Sequence, residues 1–430
     1  MRPRNQPHID NEVVQQRLQD LLSPAVYSQA DYYRQLGLRA RILTLPVMMA
    51  AVLALVWRQV PSVHELTRVL AREDLLWCRA VKVSQQALSQ RFLEFPSELF
   101  ERVLHELLSL MQTRWQARRA RPLPKSVTVA LTSFERIWIA DGSTLEALFR
   151  KLKSLEPAKT GQLGGKMMVV MDLVTRLPVR LWLETNPYAH DTTFGDRLKS
   201  QVHARTLMIL DRGFWDFHLF DDLMRQSAAF ITRVKAKAAL DVLQPLSNSP
   251  WHRDSVVRLG TGYQGNPVLT LRLIEVRAGR QWHTYLTSVL DPDVLPPGVV
   301  ADLYQRRWRI EDSFNLVKRL LGLRYLWTGS ANGIRLQVWA TWIIYVVLVD
   351  LADDVADTLR LPFNRISLEM VFRGLYHFSV AHTKGLATDP VTYFAAPENQ
   401  DLGIVKAPRK RRPRLDFQPF PKGLTSAAFP

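Results

Sequence analysis

The apolar residues change rhythm near residue 125, and this limits the fold more than any other feature of the 430-residue chain. Before that point they recur at three- and four-residue steps with almost no alternation, the pattern of helices. After it come short β-branched and aromatic runs: ERIWIADGS (135–143), the pair KMMVVMDLVT and RLPVRLWLET around a tight turn near Thr175 to Pro178, TLMILDRGF (206–214) and AAFITRVK (228–235). Residues 236–290 alternate short strand patterns with turn residues, and helical spacing returns from Pro297. This order predicts an α/β chain in five parts. A helical domain spans 1–125 and ends in the basic, proline-closed linker RWQARRARPLPK. An α/β core spans 126–235 and 297–395, a β-rich insertion spans 236–296, and a basic disordered tail spans 396–430.

Composition narrows the partners. With 57 basic against 40 acidic residues the net charge is +17, a standing attraction for polyanions such as nucleic acid. Hydrophobic content of 47% and charged content of 23% exclude wholesale disorder and fibrous classes. The single cysteine, Cys78, makes no internal disulfide and no zinc cluster, which fits a reducing compartment. The polar start MRPRNQPHIDNEVVQQRL carries no secretory pattern, so a cytoplasmic, nucleoid-associated protein is expected. Two apolar stretches, Ile42–Trp57 and Leu336–Ala352, fall short of the ~20 residues that span a bilayer. They contain Pro46 and Asp350 and read as buried core helices. With no phosphate-cradling glycine loop, no nucleotide cofactor is expected.

Within the first region, KVSQQALSQRFLEF (82–95) fits a helix that starts at Ser84 and presents Gln86, Ser89, Gln90 and Arg91 on a polar face. That would suit a DNA-recognition helix. An ordinary amphipathic helix with a solvated face has the same spacing.

Asp141 and Asp211 each end a strand-like run and are followed by glycine at once or within two residues. Carboxylates at the carboxyl ends of strands stand where open α/β sheets place chemistry, although a lone strand-end aspartate is ordinarily a turn residue. The third element is YQRRWRIEDSFNLVK (304–318), in which Tyr304, Arg307, Glu311 and Lys318 fall on one stripe of a helix. Such a stripe is either an ion-pair ladder or a carboxylate flanked by phosphate-holding groups. Asp172, Asp191 beside His190, Glu146 and Asp312 read as turn, loop or solvated acids.

These motifs resemble the DDE transposases of insertion-sequence family four. There the first aspartate follows a buried strand, as in IWIADGS, and the second lies in a D-x-G-F/Y pattern, as in Asp211-Arg212-Gly213-Phe214. The glutamate lies in Y-x2-R-x3-E-x6-K, matched by Tyr304, Arg307, Glu311 and Lys318. The likeness covers roughly residues 130–345. It implies an RNase H-like catalytic core and Asp141, Asp211 and Glu311 as ligands of two Mg²⁺ ions, with Mn²⁺ able to substitute. It also implies Tyr304, Arg307 and Lys318 at DNA phosphates, and cut-and-paste transposition by a homodimer on paired double-stranded ends. Family members that cut through a DNA hairpin stack a flipped base on an insertion tryptophan. Here His283 falls at that position, with Trp282 one residue earlier and Trp251 a more distant candidate. An inactive DNA-binding derivative, a structure-selective nuclease and a membrane protein are the competing expectations.

Overall fold

The computed structural model describes residues 12–407 apart from 39–40, 147–163, 185, 187–188, 263, 324–325 and 329, and the structural statements below concern those residues. Seven helices come first: α1 (Glu12–Tyr27), α2 (Ala30–Gln35), α3 (Leu45–Trp57), α4 (Val63–Arg72), α5 (Gln85–Glu94), α6 (Glu98–Ala117) and α7 (Lys125–Leu131). Ser62 and Ser84 cap α4 and α5 by accepting from the Glu65 and Ala87 amides. In α3 every residue from Met48 to Trp57 is buried. A helix apolar on all sides needs neighbours on all sides.

Nine strands among the described residues form one sheet in the order β3-β2-β1-β4-β5-β9-β8-β7-β6. They are β1 (Arg136–Glu146), β2 (Gly164–Asp172), β3 (Pro178–Glu184), β4 (Thr206–Leu210), β5 (Ala229–Arg233), β6 (Leu240–Asn248), β7 (His252–Leu259), β8 (Leu269–Ala278) and β9 (Gln281–Thr287). The short α8 (Gly195–Lys199) precedes β4, and α9 (Phe217–Arg225) crosses from β4 to β5. Strands β1, β4 and β5 run parallel, and β2 is antiparallel to β1. The insertion expected over 236–296 is not a separate body: β9 pairs with β5, so its strands continue the core sheet.

Strand β1 does not close at Asp141 and Gly142, as its sequence suggests. Its pairing with β4 ends at Ala140 opposite Leu210, while its pairing with β2 continues to Glu146 opposite Gly164. One side of the strand is thus released at Asp141 while the other stays hydrogen-bonded. Alternation then sets the directions of the side chains. Trp138, Ala140, Met208 and Leu210 face Leu198, Leu219, Phe220 and Leu223 of α8 and α9. Ile137, Ile139, Leu207 and Ile209 join the larger core on the other face. Asp141 and Asp211 share the parity of this second set.

The helices facing that side are α10 (Pro297–Arg306), α11 (Trp308–Asn315) and α12 (Ala331–Thr358), followed by α13 (Leu368–Thr383) and α14 (Pro390–Ala395). The stretch read as one helix over 304–318 is broken at Arg307, where 3-10 bonds link Arg307 to Tyr304 and Ile310 to Arg307. It then widens to a π turn over Leu316–Leu320. Although α12 is long and apolar enough to cross a membrane, 94% of its most apolar window is buried inside the protein. It packs along α3, α5 and α6.

The amino-terminal helices therefore do not enclose a core of their own. One continuous apolar cluster runs from Leu18 through α3, the sheet and α12 to Ile404. Ions follow the same seam: Arg17, Arg114, Arg118 and Arg121 pair with Asp350, Asp353, Asp354 and Asp357 on α12. The tail expected from 396 also starts later. Residues Pro397–Leu402 form a 3-10 turn, Ile404 is buried and Val405 bridges to Ile366. Most of the basic run KAPRKRRPRL lies outside the described residues.

Candidate active site

Asp141 and Asp211 are the first residues past the β1–β4 ladder, on adjacent parallel strands and with side chains on the same face. The Arg307 guanidinium lies between them, donating to Asp141 Oδ2 at 2.6 Å and pairing with Asp211 Oδ1 at 3.4 Å. Asp141 Oδ1 accepts from the Gly142 amide at 2.8 Å. Tyr304, 5% exposed, donates its hydroxyl to Asp211 Oδ1 at 3.3 Å. Glu311, one turn after Arg307, is half-buried and close enough for its charge to act on Asp141. The broken helix thus still brings Tyr304, Arg307 and Glu311 to the strand ends.

Electrostatics separate the two aspartates. Burial pushes the Asp141 carboxyl up to about 7. Arg307 opposes that shift, and the charges of Glu311, Asp211 and Asp191 reinforce it. The Tyr304 hydroxyl rises to about 12, chiefly through burial and then the Asp211 charge. Asp211 keeps a side chain 35% exposed. The set is all carboxylate oxygen with more anions than cations, which is the donor chemistry of a hard divalent ion. In this arrangement no three His, Cys, Asp or Glu side chains among the described residues stand close enough to share one ion. The guanidinium occupies the space between the two aspartates.

Lys318 points elsewhere than the single-stripe reading expects. Carried by the π turn, its Nζ donates to Ser143 Oγ at 2.6 Å and the Thr144 carbonyl at 2.7 Å, and so braces the extension of β1 beyond Asp141. Asp191, read as a loop acid, lies inside the cluster. Its carboxylate pairs with Lys166 Nζ at 2.6 Å, and Lys166 also donates to the Ala189 carbonyl at 2.6 Å. A Cβ on Gly142 would come within 2.4 Å of Asp191 Oδ1, and one on Gly213 within 2.3 Å of Oδ2. A side chain at either glycine would thus push on one carboxylate wedged between their loops. His190 beside Asp191 gave no sign of this, because the contact joins three distant segments.

Trp308 is the aromatic residue that sequence reasoning missed. It is 61% exposed, and the Arg307 guanidinium lies 5.3 Å from its ring centroid. Its position inside the Tyr304–Lys318 motif was the available signal. Trp282 and His283 stand on β9 opposite Arg277 and Val276. The Trp282 ring lies under the Arg253 guanidinium, 4.7 Å away. His283 lies near Arg233, and burial followed by that charge lowers its pKa. Two residues along the same strand face, Tyr285 packs against the Tyr304 ring at 5.3 Å. Trp251 is 40% exposed at the β6–β7 turn.

In the amino-terminal helices, Gln86 and Ser89 are exposed. Gln90 donates to Glu94, and Arg91 donates to Tyr33 at 2.6 Å with its guanidinium over Phe95. Asp172 accepts from the Val174 and Thr175 amides and the Thr175 hydroxyl, which makes it the turn residue of the β2–β3 hairpin. Asp312 pairs with Arg309 at the surface. The Glu146 side chain lies outside the described residues.

Known proteins resemble this chain over the same region. The family model described as "Transposase DDE domain" matches residues 132–347. A probable transposase for insertion sequence element IS5377 from Geobacillus stearothermophilus is 25% identical over 287 residues, covering 65% of this chain and 70% of that protein. The transposase InsG for insertion sequence element IS4 of Escherichia coli is 23% identical over 323 residues, covering 72% and 70%. A putative transposase, y4zB, of Sinorhizobium fredii is 29% identical over 194 residues, covering 43% and 52%.

Proposed function

The chain belongs to the DDE-domain transposases, and from that premise we propose that it moves an insertion sequence by cut and paste. It would bind the inverted repeats at the element's ends, hydrolyse a strand to expose 3′-hydroxyls and join them to target DNA. One observation carries this reading. Three acidic side chains, separated by 70 and 100 positions, approach one guanidinium at the carboxyl ends of two parallel strands. The five-strand order β3-β2-β1-β4-β5 with β2 reversed supports an RNase H-like core.

Asp141, Asp211 and Glu311 would hold Mg²⁺, with Mn²⁺ able to replace it. Bound there, a pair of such ions supplies activation of the attacking oxygen and stabilisation of the leaving oxygen at phosphorus. The chain's own groups do the rest. Arg307, already beside both aspartates, can turn its planar donor fork to a scissile phosphate, for which Arg geometry is suited. Tyr304 fixes the orientation of Asp211, and Lys318 holds the β1 extension that carries Gly142 and Ser143 in register. Asp191 and Lys166 set the distance between the Asp141 and Asp211 loops. Trp308 offers an exposed ring beside Arg307 on which an unpaired base can stack. Gln86 and Ser89 on α5 are the groups free to reach a duplex groove. Pairing of two chains on two ends completes the proposal.

The test is to supply the purified protein with Mg²⁺ and DNA bearing the repeats that flank its gene. Wild type is then compared with Asp141→Asn, Asp211→Asn and Glu311→Gln. The reading expects nicked and joined products from wild type only, with DNA binding retained in all four. Equal cleavage by the variants would overturn it. Cleavage without any joined product would favour a structure-selective nuclease on the same core.

A further inference from the structure

A cavity of about 40 Å³ lies at the other end of β1 from the carboxylates. It is enclosed by the β2–β3 turn, residues 121–124, the α10–α11 junction and the turn at Phe363 and Asn364. Its wall includes Arg121, Arg176, Arg306 and Arg309 and no acidic residue. Three of these arginines have carboxylate partners: Arg121 with Asp353 at 2.6 Å, Arg306 with Asp302 at 2.7 Å and Arg309 with Asp312 at 3.1 Å. Arg176 has none among the described residues. Its guanidinium lies 4.4 Å from the centroid of the Phe363 ring.

Arg176 occupies the hairpin turn at φ 60°, a left-handed conformation that glycine also adopts and that Gln59, Leu76, Arg205, Ser227, Lys237 and Arg360 share in this chain. Its charge is also poorly compensated. Burial, Arg309 and Arg306 lower its pKa, only partly offset by Tyr345 and Asp312, and the result is about 10. The turn thus holds a cation against other cations. The cavity exceeds the roughly 10–15 Å³ needed to hold one water-sized atom, so small polar groups can enter it.

We propose that this cavity binds a phosphate group, with Arg176 as its principal ligand, Arg306 and Arg309 as flanking donors and Phe363 as the platform that fixes the Arg176 plane. The group is either a DNA backbone phosphate or free inorganic phosphate. This site is separate from the carboxylate centre and stands whether or not that centre cleaves DNA.

The experiment uses the full chain as wild type, Arg176→Gly, Arg309→Gln and Arg205→Gly. Arg205 is the control, since it also sits in the left-handed region, at φ 59°, but pairs with Glu135. Thermal unfolding is followed in inorganic phosphate and in chloride at matched ionic strength, and duplex binding is measured across a salt series. For a free-ion site, phosphate raises the wild-type and Arg205→Gly midpoints above their chloride values, and Arg176→Gly and Arg309→Gln reduce or abolish that shift. For a DNA-backbone site, Arg176→Gly weakens duplex binding alike on different sequences and lowers the slope of log K against log salt by about one. Glycine suits the turn, so folding is retained; Arg309→Gln reports independently of it. The proposal is overturned if Arg176→Gly matches wild type in both the phosphate response and the salt slope, or if Arg205→Gly loses as much as Arg176→Gly.

Discussion

The protein gathers aspartates and arginines in two places, and it pairs them differently. On α12, Asp350, Asp353, Asp354 and Asp357 meet Arg17, Arg114, Arg118 and Arg121, four anions to four cations. At the strand ends, Asp141, Asp211, Asp191 and Glu311 have Arg307 and Lys166 as their cationic partners. The consequences appear in the acids themselves. The arginines hold the Asp350 carboxyl below its usual range despite burial, burial pushes its neighbour Asp353 up to about 6 against the pull of Arg121 and Arg118, and burial with neighbouring acids pushes Asp141 up to about 7. A balanced cluster fastens two parts of a fold together. An anion surplus on a protein of net charge +17 is the setting in which the proposed divalent ions would be held.

The largest expected effect breaks the comparison on the functional side. On the proposed metal role, Asp211→Asn should reduce strand cleavage on the order of 10³-fold, because a neutral amide oxygen holds a divalent ion far more weakly than a carboxylate. Its thermal midpoint should change little, and the pair of cleavage kinetics and calorimetry checks both halves. On the structural side, Arg118→Ala leaves Asp350 and Asp353 buried with fewer partners. Breaking a buried pair costs about 3–5 kcal/mol, so urea unfolding should show a loss of that order, with surviving activity per folded molecule.

Two smaller effects sharpen the contrast. Gly213→Ala drives a methyl group into Asp191, an overpacking error of about 1–3 kcal/mol. Adding Asp191→Ala should recover part of the stability and none of the cleavage. If the double variant is no more stable than Gly213→Ala, the wedge does not exist. A pH trend tests the carboxylate side directly. A carboxyl whose folded pKa lies above its unfolded value binds more protons when folded, so its stabilising contribution is present below about pH 4 and is lost as pH rises toward 7. The midpoint of Asp141→Asn relative to wild type should therefore rise across that interval, and melting curves at several pH values measure it.

Much of the site was legible because it is local in sequence. A strand run ending in an acid, a glycine soon after it and a helix with Tyr304, Arg307 and Glu311 at fixed steps are short-range patterns. The parity that turns Asp141 and Asp211 to one face follows from alternation alone. Illegible features came from long-range contact. Asp191 matters because it touches Gly142 and Gly213, and nothing near it in sequence encodes that. Lys318 fits the stripe only if the helix is regular, and the π turn redirects it to Ser143. The fold shows the same division. The strands of the insertion were readable, but their fusion to β5 was not. A helical region over 1–125 was readable too, whereas its dependence on α12, more than 200 residues later, was not.

That dependence on α12 has an evolutionary consequence. An amino-terminal part with its own interior could be exchanged between elements like a cartridge, each swap bringing a new DNA preference. Here the interior of that part is shared with the helix behind the strand ends, so a transplanted front half would arrive with its greasy side open. If α5 reads DNA as proposed, new target ends would have to be learned by substitutions on its outer surface, one at a time, while the shared spine stays as it is.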